Sequence, residues 1–319
     1  MKILVTGGAG YIGSVTTRVL MESGHEVIVL DNLTRGNKDA IPNGVRFIKG
    51  DIAKLDRYIK RSDEIDAVVH LAAYISAAES MVNPEIYWRN NTFQTFEMMG
   101  AMKNRGIKNL IFASTAAVYA DPGMRKLTEK SAKQPTNTYG MSKLAIDLII
   151  QSEAWSRDLA AISLRFINVA GAYKDAGERH AKESHIIPCA FRAIDEKIPF
   201  ELYGTDYPTP DGTCVRDYIH VYDLATAIVK SLDHLEPRKH KIYNLGNGNG
   251  FSNKEVVLAV ERVTGQILQV DEKPRREGDS PMLVSSSQKA HDELNWEPVH
   301  SDLDVIISSA WEFHKSRKK

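Results

Sequence analysis

Strand-sized apolar runs that alternate with helix-period stretches predict a doubly wound α/β fold, a parallel sheet followed by a smaller mixed α/β lobe. Two features carry this reading. The alternation persists to about Gly171, and beyond it Pro188, Pro199, Pro208, Pro210, Pro237, Pro274, Pro281 and Pro298 take up eight of the 12 prolines, so connections lengthen and strands shorten. In chain order the expected strands are Lys2–Thr6, Glu26–Leu30, Val45–Lys49, Ala67–Leu71, Leu110–Ala113 and Ala161–Phe166. Helical periodicity falls on 12–23, 86–103 and 139–155, where apolar residues recur every three or four positions. Six such units make one sheet. In the second half, Ser252 and Glu255 form a capping box ahead of an apolar run at 256–263, and Ser301 is expected to open a last helix through Phe313, leaving 316–319 as a solvated tail. Met98, Met99 and Trp88 fit packing positions. The division expected is 1–171 for a first domain and 172–319 for a second, with some segments of the second packing back on the first.

The chain has 319 residues, 43% hydrophobic and 26% charged, enough for a sizeable core. Lys+Arg and Asp+Glu both total 41, so the overall charge recommends neither nucleic acid nor an anionic membrane. A small-molecule partner fits better. The two cysteines, Cys189 and Cys214, lack metal-ligand spacing and form no disulfide framework, so a reducing compartment and no metal are expected. No apolar run is long enough to span a bilayer, and the glycine loop begins too early for a signal-peptide apolar region, which points to the cytoplasm.

Directly after the first strand stands Gly7-Gly8-Ala9-Gly10-Tyr11-Ile12-Gly13, and Asp31 closes the second strand. Strand, glycine loop, helix and acid in that order make a Rossmann-type dinucleotide site: the glycines let backbone approach a pyrophosphate, and the helix start meets its charge. Asp31 would bind the adenosine ribose and repel a 2′-phosphate, favouring NAD over NADP, with Arg35 as the opposing feature. Asp51, after the third strand, could hold the adenine amino group or simply cap a helix.

Tyr139 and Lys143 lie one helical turn apart, so both side chains can point into one cleft. An ammonium near a phenol lowers its pKa towards a usable base. Ser114-Thr115 ends a strand of the same sheet, on the side where open α/β sheets bind ligands. A hydroxyl, a tyrosine and a lysine on a dinucleotide domain suit coupled proton and hydride transfer.

These motifs, with Ser114-Thr115-Ala116-Ala117-Val118-Tyr119, Tyr139-Gly140-Met141-Ser142-Lys143 and Arg165-Phe166-Ile167-Asn168, resemble the extended short-chain dehydrogenase/reductase superfamily. The block from Asp206 to Val221 and the segment Arg275-Arg276-Glu277-Gly278-Asp279 resemble, more narrowly, the UDP-glucose 4-epimerase family. The resemblance implies a homodimer that oxidises a UDP-hexose transiently at C4 with tightly held NAD. It implies Tyr139 as base, Thr115 as hydrogen-bond partner of the 4-hydroxyl, and Lys143 on the nicotinamide ribose. Further cofactor positions implied are Gly7, Gly10, Tyr11, Ile12, Asn32, Ile52, Leu71, Ala72, Ala73, Asn91 and Phe166. For the substrate it implies Asn168, His185, Ile186, Tyr203 against the uracil, Arg216 and Arg276 on the diphosphate, and Asp279 on the ribose.

The chain departs from the family at Ile75, Gln94, Ala120 and Phe166, none of them a reacting group. Leu283 falls where residue size decides whether N-acetyl sugars enter. The alternatives are a UDP-N-acetylhexosamine 4-epimerase, a nucleotide-sugar dehydratase or decarboxylase, and a non-catalytic NAD-binding regulator. Dehydratases need an extra acid and base after the threonine, where this chain has Ala116-Ala117; a regulator has no need of Thr115, Tyr139 and Lys143 together.

Overall fold

The computed structural model describes residues 1–180, 183–276 and 278–318. Its centre is a parallel sheet of seven strands. Six match the expected set: β1 (Lys2–Thr6), β2 (Glu26–Asp31), β3 (Arg46–Lys49), β4 (Ala67–His70), β5 (Asn109–Thr115) and β6 (Ala160–Phe166). The seventh, His240–Leu245, comes from the second half of the chain and pairs with β6 in parallel register, His240 opposite Ala161 and Leu245 opposite Phe166. From one edge the order is His240–Leu245, β6, β5, β4, β1, β2, β3. Winding therefore reverses between β1 and β4, which opens a crevice beyond their C-terminal ends.

Both faces of the sheet are covered, which is why its strands read as nearly continuous apolar runs. On one face Ile3, Val5, Val29, Val69, Ile111 and Leu164 pack with Leu20 of helix α1 (Tyr11–Glu22), with Leu224 and Ile228, and with the fully buried Trp296. On the other, Leu4, Ile28, Val68 and Phe112 meet Met98, Met102, Ile146 and Ile150. The helix Val221–Leu232 and residues 288–296 thus belong to the sheet layers. A separate core joins Phe191, Phe200, Val256, Val260, Ile306, Ile307 and Trp311, the body of the smaller lobe.

Several boundaries differ from expectation. The single helix expected over 86–103 is broken into Pro84–Tyr87, a π-helical turn Trp88–Phe93 and Gln94–Arg105. Such turns insert one residue into the ladder, shifting the face that follows. Ser252 and Glu255 do form the capping box. Asp302, not Ser301, caps the last helix, Leu303–Ser316, by accepting from the Val305 N–H. Ser316, Arg317 and Lys318 are exposed, as expected of a solvated tail, although Ser316 still ends that helix and Arg317 and Lys318 reach Asp39 and Asp195 at the surface; Lys319 lies outside the described residues. Among the described residues no helix is long and apolar enough to cross a membrane.

Candidate active site

The crevice is a cavity of about 1250 Å³. Its floor is the glycine loop. Gly7 sits at φ 74°, and a Cβ there would lie 2.6 Å from the Ala72 nitrogen, so only glycine lets β1 turn this close to the segment after β4. A Cβ on Gly13 would collide with the Gly7 carbonyl. Gly10 caps α1 without any side-chain hydrogen bond, leaving first-turn N–H groups for a ligand. Gly7, Gly10, Tyr11 and Ile12 all face the cavity. The Tyr11 hydroxyl donates to the Gly171 carbonyl at 2.6 Å and so ties the loop to the chain leaving β6.

Asp31 reaches back from β2 and accepts from the Ala9 N–H at 3.0 Å and the Leu33 N–H at 2.8 Å. Burial raises its pKa, opposed by these two bonds. Arg35 does not wait for a phosphate, because its guanidinium is 2.8 Å from Glu79. Asn32, Ile52, Leu71, Ala72, Ala73 and Phe166 also line the cavity. These features fit a dinucleotide.

Asp51 and Asn91 stand next to cavity-lining residues, Gly50, Ile52 and Asn90, and their side chains also make contacts within the protein. Asp51 caps the turn that follows it through Ala53 N–H at 2.9 Å, and its other oxygen accepts from Gln94 at 3.2 Å. Asn91 is buried with its amide committed to the Tyr74 backbone, accepting from N–H and donating to C=O at 2.9 Å each. It thereby fixes the loop after β4.

Thr115 ends β5, and Asn137 caps the helix Thr138–Arg157 by accepting from Gly140 N–H, which starts that helix where Tyr139 faces the cavity. Burial raises the pKa of the Tyr139 phenol, and the neighbouring Thr115 hydroxyl opposes the rise. Lys143 is only 3% exposed. Its ammonium turns inward, donates to the Ala113 carbonyl at 2.8 Å and lies 4.8 Å above the Phe112 ring. Burial pulls its pKa down to about 8, with the Asp147 carboxylate opposing.

At the far end, Asn168, His185, Asp279 and Leu283 line the cavity. Arg216 donates to Ser280 O at 2.8 Å and pairs with Asp279 at 3.3 Å. Arg276 lies 3.8 Å over the Tyr203 ring, so one aromatic face expected for the base is covered by a guanidinium. Ile186 opens the helix Ile186–Glu196 and packs into the lobe core. Glu277 lies outside the described residues. All four departures, Ile75, Gln94, Ala120 and Phe166, line the cavity.

The long block from Asp206 to Val221 acts chiefly as scaffold. Asp217 is buried and accepts from the N–H groups of Asn247 at 2.7 Å and Ser285 at 3.1 Å, while His220 caps the helix Val221–Leu232 through Tyr222 N–H. Cys214 is buried and Cys189 partly so, both free. Sequence reasoning missed one group beside the cavity. Glu178, His180 and Glu183 gather around His185; Glu178 is held at a pKa of about 2, the two histidines offsetting the effect of its burial, and His180 is raised to about 9, first by the bond to Glu178. Residues so spaced on a loop give no periodic signal.

Comparison with known proteins agrees with this architecture. The chain is 44% identical to a UDP-glucose 4-epimerase of Corynebacterium glutamicum over the full length of both, and 45% identical to that of Streptomyces lividans, covering 100% of this chain and 97% of the relative. It superposes with a TM-score of 0.92 on the crystal structure of UDP-glucose 4-epimerase from Brucella ovis in complex with NAD, at 37% identity and 98% coverage of each chain. With residues 3–246 matching the family model as well, the chain belongs to the NAD dependent epimerase/dehydratase family.

Proposed function

We propose that the chain is an isomerase that interconverts UDP-glucose and UDP-galactose at C4 with retained NAD. The observation that carries this reading is one cavity lined by both a glycine cradle for a dinucleotide and the side chains of Tyr139 and Thr115, with Ala116 and Ala117 where elimination would need carboxylates. Full-length relatives of that activity support it.

NAD, when bound, supplies the acceptor and then the donor of the C4 hydride. The chain's own residues hold the proton and the substrate. Tyr139 takes the 4-hydroxyl proton and returns it, and Thr115 orients both oxygens. Because burial holds the phenol above its ordinary pKa, positive charge in the loaded site has to favour the phenolate. Lys143 keeps a cation one turn away and anchors the ribose side of the cofactor. Asp31, Asn32 and Ile52 receive the adenosine half; Leu71, Ala72, Ala73 and Phe166 flank the nicotinamide half. Asn168, Arg216 and Arg276 meet the diphosphate, Tyr203 the uracil, Asp279 the ribose, and His185 with Ile186 the rim.

The assembly we infer is a homodimer through the neighbouring segments Trp88–Arg105 and Thr138–Arg157. On them Phe93, Phe96, Met141 and Leu148 are 64%, 49%, 44% and 59% exposed, an apolar surface that a second copy would cover. A cytoplasmic site fits two free cysteines and a soluble substrate.

The test is incubation of the purified protein with UDP-galactose and chromatography of the sugar nucleotides. UDP-glucose should form, and Tyr139→Phe should lose about 1,000-fold or more of that rate while retaining its NAD. A 4-keto-6-deoxy product, or none, refutes the assignment.

A further inference from the structure

We propose that Glu178, His180, Glu183 and His185 form a site for one divalent cation of the zinc type, closing the loop between the strand Ala176–Gly177 and the helix Ile186–Glu196. One potential ligand atom from each of the four side chains lies within 4.8 Å of the others. His180 Nδ1 is 3.0 Å from Glu178 Oε1 and 3.6 Å from Glu183 Oε2, and His185 Nδ1 is 3.5 Å from Glu183 Oε1 and in contact with the same Glu178 oxygen. Ligands about 2.0–2.2 Å from a tetrahedral ion stand roughly 3.3–3.5 Å apart; the two His–Glu183 pairs are near that spacing, and the two imidazoles on Glu178 Oε1, which are closer, would move apart around an ion.

The chemistry of the set is equally selective. Two imidazoles and two carboxylates neutralise a doubly charged ion, and imidazole nitrogen favours zinc-like cations over magnesium or calcium. Four protein ligands complete a tetrahedron, so the site is structural and leaves no open position for a substrate. The carboxylates are the less exposed members, with side chains at 9% for Glu178 and 13% for Glu183. Glu183 is also oriented from outside: its Oε1 accepts the N–H groups of Ser184 and His185 at 2.8 Å each, which aims Oε2 towards His180. Such outer hydrogen bonds are how ligating carboxylates are held. Without an ion, two imidazoles have to direct Nδ1–H at a single oxygen of Glu178; with one, the same convergence is coordination.

The consequence is positional. Arg179 between the ligands pairs with Asp39 at 2.6 Å, and Arg179, His180 and His185 face the cavity, so an ion here would fix that wall against the loop after β2. Untagged protein, purified with its NAD, should contain about one zinc ion per chain by elemental mass spectrometry. After chelation, titration with Co2+ should produce visible absorption bands of a tetrahedral site. His180→Ala and Glu183→Gln should each weaken cobalt binding by more than the roughly 100-fold that outer-shell changes cause, with NAD content unchanged as the check on folding. Absence of any divalent metal in the purified protein, together with cobalt binding by stripped wild type no tighter than by the two variants, overturns the proposal.

Discussion

The ammonium of Lys143 donates to the carbonyl oxygen of Ala113 at 2.8 Å, joining the helix that carries Tyr139 to the strand that carries Thr115. The bond compensates only part of the cost of burying a cation at 3% exposure, which is why the pKa falls to about 8.

That cost predicts a separation of stability from activity. Lys143→Met should stabilise the apoprotein at pH 7, on the order of 1–3 kcal/mol at about 1.4 kcal/mol per pKa unit, and lower turnover by about 100-fold or more. The pH sign follows from linkage. Between about 8 and the ordinary value near 10.4, the unfolded chain binds a proton that the folded one has released, so wild-type stability rises with pH across that window. Urea unfolding at pH 7, 8.5 and 10 should show the gap between variant and wild type closing upward; a constant gap would contradict it.

Asp31 predicts cofactor choice. Its carboxylate is anchored on Ala9 and Leu33, and Arg35, the cation expected to favour a 2′-phosphate, is engaged by Glu79. Asp31→Asn keeps an acceptor and removes the charge. The preference for NAD over NADP should narrow by about tenfold or more, about 1.4 kcal/mol, in fluorescence titrations of stripped protein.

These residues were legible because their signals are local: the glycine loop with Asp31 repeats a strand–turn–helix order, and Tyr139 with Lys143 sits one turn apart. Spacing fixes the face of a helix, not the direction in which a long side chain extends, so the Ala113 bond to Lys143 could not be read. The seventh strand, His240–Leu245, was hidden for another reason. It lies at the sheet edge, its first three residues are only half-buried, and Pro237 breaks the βα rhythm before it, so its pattern lacks the continuous apolar run of β1 or β4. Arg276 over Tyr203 and Asn91 against Tyr74 are contacts between separate segments, and no periodicity encodes them.

Arg165 and Asp147 supply a third prediction. Their 2.7 Å ion pair, at 1% and 3% side-chain exposure, joins β6 to the Tyr139 helix, and Arg165 also donates to the Tyr119 hydroxyl at 2.9 Å. Removing one partner strands the other charge. Arg165→Met should cost about 3–5 kcal/mol in urea unfolding, whereas Arg165→Met with Asp147→Leu should recover most of it. A double variant no more stable than the single one would show that packing, not the stranded carboxylate, dominates.

The remaining prediction concerns the sugar. Leu283 pairs with Arg216 through the short parallel bridge Val215–Arg216 to Met282–Leu283, so its backbone is fixed by the same segment that positions the arginine, and its side chain faces the cavity. A larger residue there cannot retreat by moving the strand without displacing Arg216. Leu283→Tyr should therefore remove space from the hexose end and leave the nucleotide end intact. A bulky N-acetyl group at C2 meets this loss of space; a hydroxyl does not. Turnover of UDP-N-acetylglucosamine relative to UDP-glucose should fall by about 10-fold or more, the range over which pocket size discriminates small groups. Parallel progress curves on the two substrates measure the ratio, and an unchanged ratio would place the boundary of the hexose pocket at another residue.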